Sequence, residues 1–449
     1  MPSINAESSR ILFREITNSS FWNRFFLYGV FVFSTFSIAG TDAAIVGLYL
    51  VGVYKLWRNP RPVLWKHPLF LALMVWVLVQ LVSTLLTPYT TRVGMMLWNN
   101  WRMFLPFALM FSLKEENHRH VMQIFMFFLT VISVYGIIQF FTGAEWFDFF
   151  GNSHPKPYKH PCFTTYGYTP FFHAKGNYSN HLTYGGVLLL SFPLFFSLVL
   201  RPGTLPERQR LTISGSTALM LLAIVLSLAR SVWIGTFFSI LLLLYHFSKK
   251  LFFSLLIGVG SAVVILGSVY LNQGEKPSSS DSFSDVVWSR ITSGFMLKYN
   301  EDRLLMWESG INAIKDHFWF GIGFDNDREV MDRYRTPLAE RTGHRFFNKP
   351  SAGVHNIYIQ TFLNTGFVGF MAYMAIWITW IGQLLVHYKK ITDKYNQSLM
   401  WGVLSATIGF MLAGFFENNF RDSEVQTMVY LFMGLILRLI HFPDSKANT

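Results

Sequence analysis

Residues 68–86 read Pro-Leu-Phe-Leu-Ala-Leu-Met-Val-Trp-Val-Leu-Val-Gln-Leu-Val-Ser-Thr-Leu-Leu and contain no charged side chain. A helix of about 20 apolar residues spans the hydrocarbon core of a bilayer, which is about 30 Å thick. Similar apolar runs recur along the chain between short charged connectors. The pattern predicts an all-α polytopic membrane protein. Alternating strands of about 10 residues are not seen, which argues against an outer-membrane barrel.

The overall composition supports a protein whose solvent is largely lipid. The chain is 52% hydrophobic and only 14% charged, whereas soluble domains carry about 25% charged residues. The formal net charge is +12. In a membrane protein such an excess of Lys and Arg first indicates orientation, because these residues accumulate in cytoplasmic loops. We therefore expect a bilayer as partner and no nucleic acid.

Three further features are read from composition and from the start of the chain. Cys162 is the single cysteine, so no intramolecular disulfide is expected, and no Cys/His spacing resembles a zinc site. We accordingly expect neither a metal nor a cofactor. The polar start through Ser20 runs into an apolar segment without a small-residue cleavage site, so no cleavable signal peptide is expected.

The apolar runs predict about twelve membrane helices. Their approximate positions are 24–39, 43–57, 68–86, 99–113, 120–142, 182–200, 212–229, 231–247, 251–271, 356–386, 397–416 and 424–441. The first two are short and are separated by Gly40-Thr41-Asp42, and 99–113 is also compatible with a re-entrant segment.

The distribution of basic residues predicts the orientation of these helices. If the N-terminus is inside, four clusters of basic residues in the connectors fall on the cytoplasmic side, as the positive-inside rule requires. These connectors carry Lys55, Arg58, Arg61 and Lys66; Arg201, Arg208 and Arg210; Lys249 and Lys250; and Lys389, Lys390 and Lys394. The pattern predicts an even number of spans with both termini in the cytoplasm.

Two connectors on the opposite side are long, at about 143–181 and 272–355. We therefore divide the chain into an N-terminal bundle of about nine helices (1–271), a large outer loop (272–355) and the C-terminal helices (356–449). Within the large loop, apolar residues recur at helical spacing over 301–318, and Gly321-Ile322-Gly323 is a helix stop. We expect an amphipathic helix near the outer membrane surface, with a polar site between it and the bundle.

Three residues at the outer ends of helices are candidates for catalysis: Arg230, Arg303 and His355. Guanidinium groups grip phosphate oxygens in a bidentate manner, and a neutral imidazole takes a proton from a hydroxyl. Together they suit a lipid diphosphate leaving group. Each also has a simpler explanation: an arginine anchor in the headgroups for Arg230, a surface charge at a helix N-terminus for Arg303, and a headgroup contact for His355.

Other polar residues on the same face are weaker candidates. Glu417 could orient the histidine, but pairing with Arg421 is the favoured interpretation. Asp325-Asn326-Asp327 resembles a metal-binding triplet and is interpreted as a loop feature. The first long loop is interpreted as a substrate-binding wall; its cationic residues are His154, Lys156, Lys159, His160, His173, Lys175 and His181, interleaved with Tyr158, Tyr166 and Phe172.

Three patches of sequence carry a resemblance to a known family. They are Ser227-Leu-Ala-Arg230-Ser-Val-Trp233; Arg303-Leu-Leu-Met-Trp307 through His317-Phe-Trp-Phe-Gly321-Ile-Gly323; and His355-Asn356-Ile-Tyr358 through Asn364-Thr-Gly366-Phe-Val-Gly369. In this order, with the twelve-helix layout and the large late loop, the chain resembles the O-antigen ligase and polymerase superfamily, and most closely the lipopolysaccharide O-antigen ligases. The implied fold is a GT-C-like helical bundle whose large late periplasmic loop contains amphipathic helices.

The resemblance implies a glycosyltransferase of the inner membrane with a periplasmic active site. It would transfer polysaccharide from undecaprenyl diphosphate to a sugar hydroxyl of the lipid A core, with inversion and without a required metal. A chain-length regulator is a candidate partner. By analogy, the catalytic residues are His355, Arg230 and Arg303. The substrate-binding residues would be Arg230, Arg303, Asn356, Tyr358, Trp307, Glu417, Lys175 and His181.

Two alternatives to a ligase remain open at this point. An O-antigen polymerase or a protein O-oligosaccharyltransferase of the same superfamily would differ only in its acceptor. A polysaccharide or lipid transporter would instead be expected to carry ionisable residues at mid-membrane and internal repeats. The predicted membrane helices are nearly free of ionisable groups, and no internal repeat of this kind is found in the sequence.

Overall fold

The computed structural model describes residues 19–58, 66–144, 161–164, 167–272, 283–295, 297–346 and 353–441. These residues are mostly helical, as expected for a polytopic membrane protein. The helices are α1 (Ser19–Phe33), α2 (Ile38–Arg58), α3 (Pro68–Leu86), α4 (Val93–Asn100), α5 (Leu105–Ser112), α6 (Glu115–Thr142), α7 (His181–Leu200), α8 (Glu207–Leu226), α9 (Arg230–Phe247), α10 (Lys249–Asn272), α11 (Phe283–Phe295), α12 (Leu297–Asp316), α13 (Asp327–Val330), α14 (Asp332–Thr342), α15 (Ile357–His387), α16 (Lys394–Ala413) and α17 (Ser423–His441).

Within the described ranges, eight helices are long and apolar enough to cross a membrane: α2, α3, α6, α7, α8, α9, α15 and α17. The protein is therefore a multi-pass membrane protein, while the count of twelve spans stays a prediction. Helix α1 has only 15 residues. The predicted span 99–113 is divided into α4, a 3₁₀ turn (Trp101–Phe104) and α5, and Pro106 stands in the first turn of α5, where its missing N–H costs little.

Helices α7, α9 and α16 form the tightly packed centre of the bundle. A Cβ atom on Gly235 of α9 would lie 2.5 Å from the carbonyl oxygen of Gly409 on α16, so the two backbones touch at this crossing. Close to it, the hydroxyl of Ser239 donates to the carbonyl of Ser405 at 2.8 Å. Small residues that admit close backbone approach are the usual means by which helices associate in lipid.

The basic connectors meet at one end of this bundle. Arg201, after α7, donates to the carbonyl of Lys394 at 3.4 Å. His246, near the end of α9, stacks on Trp401 of α16 with ring centroids 3.7 Å apart. The loops 201–206, 248 and 388–393 are therefore neighbours. Which side of the membrane they face remains the prediction made from their charge.

The long helix α15 is broken at Gly366, where φ is 67° and ψ is −169°. The break exposes carbonyls of the preceding turn, and the chain after α12 binds them: Ile322 N–H donates to Leu363 O at 2.8 Å and Gly323 N–H donates to Asn364 O at 3.0 Å. In return, Phe367 N–H donates to Phe318 O at 2.7 Å. Residues 318–323 are thus hydrogen-bonded into the gap of α15.

The large loop 272–355 contains helices α11 to α14. The amphipathic helix predicted for 301–318 is present as α12 and begins earlier, at Leu297. Its buried face packs on α15, and a small separate core forms around Ala313, Ile322, Val330, Met331, Val354 and Leu363. Most of the Ser/Pro-rich stretch Gly274–Ser284 lies outside the described residues.

The first long loop contains an antiparallel hairpin that the sequence did not predict. Its strands are β1 (Pro161–Thr164) and β2 (Gly167–Phe172). Phe171 of β2 stacks on Phe140 of α6, with centroids 5.2 Å apart. The predicted wall residues of this loop that lie outside the described residues are His154, Lys156, Tyr158, Lys159, His160 and Tyr166.

The interlock of α15 with residues 318–323 can be tested at Gly366. A Cβ there would lie 2.2 Å from the carbonyl carbon of Trp319, and the backbone conformation is one that only glycine adopts readily. Gly366→Ala should therefore lower the free energy of unfolding by about 3 kcal/mol or more. The measurement is the thermal unfolding midpoint of the detergent-purified protein, followed by tryptophan fluorescence.

The matched control is Gly382→Ala on the same helix, where a Cβ would have no atom within 4 Å. Alanine favours a regular helix over glycine by about 0.8–1 kcal/mol, so this variant should keep or raise the midpoint. Equal midpoints for the Gly366 variant and the wild type would show that the interlock is not needed.

Candidate functional site

An open cavity of about 730 Å³ lies where the large loop meets the bundle. It is formed by the start of α7, the turn between α8 and α9, helices α11 and α12, and the segments before α15 and after α16. Its lining residues are His181, Leu182, Leu228, Ala229, Arg230, Ser231, Arg290, Asn300, Asp302, Arg303, Met306, His355 and Glu417. The three residues predicted to be catalytic thus face one space.

Arg230 is the first residue of α9 and follows a sharp reversal of the chain after α8. The reversal requires a left-handed backbone at Leu228, with φ of 55°. The guanidinium of Arg230 lines the cavity, and its Nη1 is buried without a hydrogen-bond partner among the described residues. An anchor in the headgroups would be solvated by them, so this placement favours a ligand-binding role over simple anchoring.

His355 and Glu417 form the central pair of the cavity. Nδ1 of His355 lies 2.7 Å from Oε1 of Glu417, and Glu417 is only 6% exposed. An ionised carboxylate accepts but does not donate, so Nδ1 carries the proton and a neutral His355 keeps its lone pair on Nε2. That Nε2 is buried and has no hydrogen-bond partner in the described part of the chain.

Glu417 is kept ionised by its neighbours. Burial alone would raise its pKa, but the hydrogen bond and the electrostatic interaction with His355, together with the charge of Arg303, hold the pKa of Glu417 below its ordinary value. The backbone N–H of Asn418 adds a hydrogen bond at 3.1 Å. The sequence interpretation that pairs Glu417 with Arg421 is wrong, because Arg421 instead forms ion pairs with Asp325 and Asp327.

Arg303 reaches the same carboxylate from α12, with Nη2 3.8 Å from Oε2 of Glu417. Because α12 begins at Leu297, Arg303 lies in the second turn and not at the helix N-terminus. The opposing macrodipole that the sequence suggested therefore has little effect, since it acts within the first turn. Arg303 is held by the carboxylate across the cavity.

Arg290 on α11 is a third guanidinium in the cavity, and the sequence analysis did not identify it. Its Nε is buried without a hydrogen-bond partner among the described residues. Burial lowers the pKa of Arg290, and the positive charge of Arg303 lowers it further, although Cys162 acts in the opposite direction. A possible signal was an arginine within the apolar stretch Val286 to Ile291, but nothing local says that it turns toward Arg230.

His181 lines the cavity beside a second histidine. The rings of His173 and His181 stack with centroids 4.1 Å apart and planes 20° apart. Burial, reinforced by the charge of Arg290, lowers the pKa of His173 to about 4, so this ring is neutral at physiological pH. The end of the first long loop thus contributes His181 to the cavity wall, and its role in binding substrate stays a prediction.

Other predicted substrate-binding residues take structural positions next to the cavity. The side chain of Asn356 caps α15 by accepting from the N–H groups of Tyr358 and Ile359, at 2.9 and 3.0 Å. The hydroxyl of Tyr358 donates to Met411 O at 2.7 Å. Trp307 packs beside Phe416, with ring centroids 6.3 Å apart. These three residues and Lys175 are not among the described lining residues, so their contact with substrate stays a prediction.

The Asp325-Asn326-Asp327 triplet lies outside this cavity and is held by polar partners. Asp325 pairs with Arg92 and Arg421. Asp327 is buried and accepts from Nε2 of Gln360 at 2.7 Å. Asp327 is the first residue of α13, and the interpretation of the triplet as a loop feature stays a prediction.

The ionisation of Glu417 predicts a pH-dependent stability difference. Because its folded-state pKa lies below the ordinary value, the carboxylate stabilises the fold fully above about pH 5, and this contribution is lost as the pH falls through the folded-state pKa. Glu417→Gln should therefore lower the thermal midpoint at pH 7, and its difference from the wild type should shrink toward pH 4. Paired unfolding curves at both pH values measure this.

Glu308→Gln is the control, because Glu308 pairs with Arg341 at 2.7 Å in an exposed position. Exposed pairs contribute about 0–1 kcal/mol, so its midpoint should stay near that of the wild type at both pH values. A Glu417 variant whose deficit is as large at pH 4 as at pH 7 would contradict an ionised Glu417.

Comparison with known proteins identifies the region that contains most of this site. Residues 215–374 match the family model described as O-antigen ligase, which covers a little more than one third of the chain and includes Arg230, Arg290, Arg303 and His355. No curated protein matches the chain. His181 and Glu417 complete the cavity from outside the matched region. Residues 215–374 of this chain are thus similar to the O-antigen ligase family.

Proposed function

We propose that the protein is a lipopolysaccharide O-antigen ligase. It transfers polysaccharide from undecaprenyl diphosphate to a sugar hydroxyl of the lipid A core, at the periplasmic face of the bacterial inner membrane. The observation that carries the proposal is the cavity that gathers three guanidiniums around the His355 and Glu417 pair. The O-antigen ligase family match supports the same class of glycosyl transfer.

The cationic wall suits a diphosphate. Arg230, Arg290 and Arg303 face the cavity, and two of them have a buried nitrogen without a hydrogen-bond partner among the described residues. A buried donor left unpaired costs about 1–3 kcal/mol, and more when the group is charged. Phosphate oxygens would supply the missing acceptors, and bidentate contacts would fix the orientation of the leaving group. This role agrees with the one inferred for Arg230 and Arg303 from the sequence.

In this proposal His355 acts as general base. Its Nε2 has no hydrogen-bond partner among the described residues and would accept the proton of the acceptor hydroxyl, while Glu417 stabilises the imidazolium that forms. The acceptor oxygen then bonds to the anomeric carbon as the bond from that carbon to the diphosphate breaks. The diphosphate leaves with its charge neutralised by the guanidiniums. Attack from the face opposite the leaving group inverts the anomeric configuration.

The backbone has strained conformations at two residues of this cavity. Two of the three non-glycine residues with positive φ in the described part of the chain, Leu228 at 55° and His355 at 49°, line the cavity. Such conformations cost about 1–3 kcal/mol each and persist where the surrounding structure over-determines them. Leu228 sets the turn that directs Arg230, and the conformation of His355 directs its ring toward Glu417. The strain supports preorganisation of the pair before substrate binds.

The diphosphate role predicts the effect of removing one guanidinium. Arg230→Ala, Arg290→Ala and Arg303→Ala should each lower the transfer rate about 100-fold or more while the protein remains folded. Lysine at Arg230 or Arg303 should restore little, since it lacks the planar fork. The measurement is transfer rate at matched amounts of monodisperse protein.

Arg341→Ala is the matched control: it lies on α14 of the same large loop, is exposed, and pairs with Glu308. Its rate should stay within about twofold of the wild type, as expected for a surface pair. Full activity in the Arg230 or Arg303 alanine variant would refute the diphosphate clamp.

The assignment as a ligase is tested by reconstituted transfer. Purified protein receives undecaprenyl-diphosphate polysaccharide as donor and lipid A core as acceptor, and the product is read by gel mobility. We expect capped lipopolysaccharide from the wild type, and at least about 100-fold less from His355→Ala, because the base is lost. His120→Ala, a change at an exposed histidine bonded to Tyr28, is the control and should transfer normally.

Other products would identify the alternatives. Extension of the donor glycan with a bare core would indicate a polymerase of the same superfamily. Movement of lipid-linked sugar across the bilayer without either product would indicate a transporter.

A further inference from the structure

A second open cavity, of about 590 Å³, lies on the other side of the segments that bear His355 and Glu417. Ile357 and Asn418 face this second cavity, whereas His355 and Glu417 face the first. The two cavities therefore share a thin wall. The other lining residues come from α3, α4, α15, α17, the loop after α12 and the 3₁₀ turn Asn419–Arg421 that precedes α17. We call it the amide pocket.

The first cavity is called the cationic cavity here, because Arg230, Arg290 and Arg303 line it. The chemical character of the amide pocket is different. Seven of its lining residues carry side-chain amides: Gln80, Asn99, Asn100, Gln360, Asn364, Asn418 and Gln426. Its two charged residues, Asp325 and Arg421, form an ion pair with each other. The lining thus has no net charge and offers many donors and acceptors, since each amide has two donors and an acceptor oxygen.

One of these amides has unused capacity. Gln426 on α17 is 1% exposed, and its Oε1 is buried without a hydrogen-bond partner in the described part of the chain. Buried polar groups are normally satisfied, so an orphan in the wall of a pocket points to a ligand that supplies the donor. A hydroxyl group is such a donor and carries no charge.

Four of the other amides are held in place before any ligand binds. Asn100 Nδ2 donates to Gln80 Oε1 at 2.9 Å, and Gln360 Nε2 donates to Asn364 Oδ1 at 2.9 Å. Gln360 Nε2 also donates to Oδ1 of the buried Asp327, at the start of α13. Fixed polar groups lose little conformational entropy on binding. Trp76 and Phe420 add aromatic surface that suits the C–H faces of a sugar ring.

We propose that the amide pocket binds one uncharged sugar unit of a glycan substrate, one step away from the site of transfer. The proposal rests on the proposed function for the identity of the glycan, but not for the binding itself. A diphosphate is disfavoured because the lining has no net charge. The seven amides and the orphaned Oε1 of Gln426 favour a ligand with hydroxyl groups over a lipid tail. The unit belongs either to the donor polysaccharide or to the acceptor core.

Asn99→Ala is the variant that tests the pocket. Asn99 is partly exposed on α4 and lines only the amide pocket, so its loss removes a contact without touching the cationic cavity. Asn312→Ala is the matched control, the same chemical change on α12, where Asn312 accepts from Lys315 at 3.2 Å and lines neither cavity.

In the transfer assay, Asn99→Ala should raise KM about tenfold for one of the two substrates, with kcat within about twofold, since one hydrogen bond to a remote unit is lost. A higher KM for polysaccharide donor assigns the pocket to the donor, and a higher KM for the lipid A core assigns it to the acceptor. Unchanged KM values for both, or a loss equal to that of Asn312→Ala, overturn the proposal.

A direct binding measurement separates this inference from the proposed function. Lactose is added to the purified protein with inorganic diphosphate present to occupy the cationic cavity, and saturation-transfer NMR reports bound sugar. The wild type and Asn312→Ala should give a signal that falls at least about threefold in Asn99→Ala. No signal from the wild type, or equal signals from all three proteins, overturns the pocket whether or not transfer occurs. A signal that behaves as expected alongside failed transfer would leave the pocket standing and refute the ligase.

Discussion

The break in α15 at Gly366 is the constraint on which the arrangement of the functional site depends. A helix that loses one turn of hydrogen bonds in a membrane protein must satisfy its backbone groups elsewhere, because lipid offers no partners. Here residues 318–323 supply them, with Gly323 N–H bonded to Asn364 O and Phe318 O receiving Phe367 N–H. Since residues 318–323 directly follow α12, the exchange fixes this helix against α15. Arg303 on α12 and His355 before α15 are thereby held at a common carboxylate.

The cationic cavity contains several features that are unfavourable by themselves and that are partly compensated by their neighbours. Three guanidiniums line one cavity, burial and the charge of Arg303 lower the pKa of Arg290, and two backbone conformations are strained. Glu417 offsets part of this cost by pairing with both His355 and Arg303. The rest is the kind of cost that an anionic ligand removes on binding. Stability and function are therefore in tension at this point of the fold, as is usual for sites built around unpaired charge.

The two cavities, which lie on either side of the segments that bear His355 and Glu417, differ in their chemistry. Charged groups and the strained histidine face the cationic cavity, and uncharged amides face the amide pocket. The third non-glycine residue with positive φ in the described chain, Asp325 at 58°, lies in the amide pocket and pairs with Arg421. Adjacent residues of one backbone segment line different cavities: Glu417 lines the cationic cavity, and Asn418 lines the amide pocket. In the proposed function, the diphosphate binds on one side of these backbone segments and a sugar unit of the glycan binds on the other.

The sequence by itself determined the class of protein and three members of the site. Apolar runs of the length of a membrane helix, and the placing of Arg230, Arg303 and His355 at helix ends, are local properties of the chain. The helix at 301–318 and its stop at Gly321 were predictable for the same reason, although its start at Leu297 was not.

Only the tertiary structure decided which groups meet. Glu417 has Arg421 four residues away in sequence, yet it pairs with His355 and Arg303 from two other elements. Arg290 comes from α11, and its direction depends on how that helix packs. Asn356 and Tyr358 follow the histidine in its motif but serve to cap and pack α15. Pairing between distant residues is set by the packing of helices and by the interlock at Gly366, and neither leaves a periodic signal in the sequence.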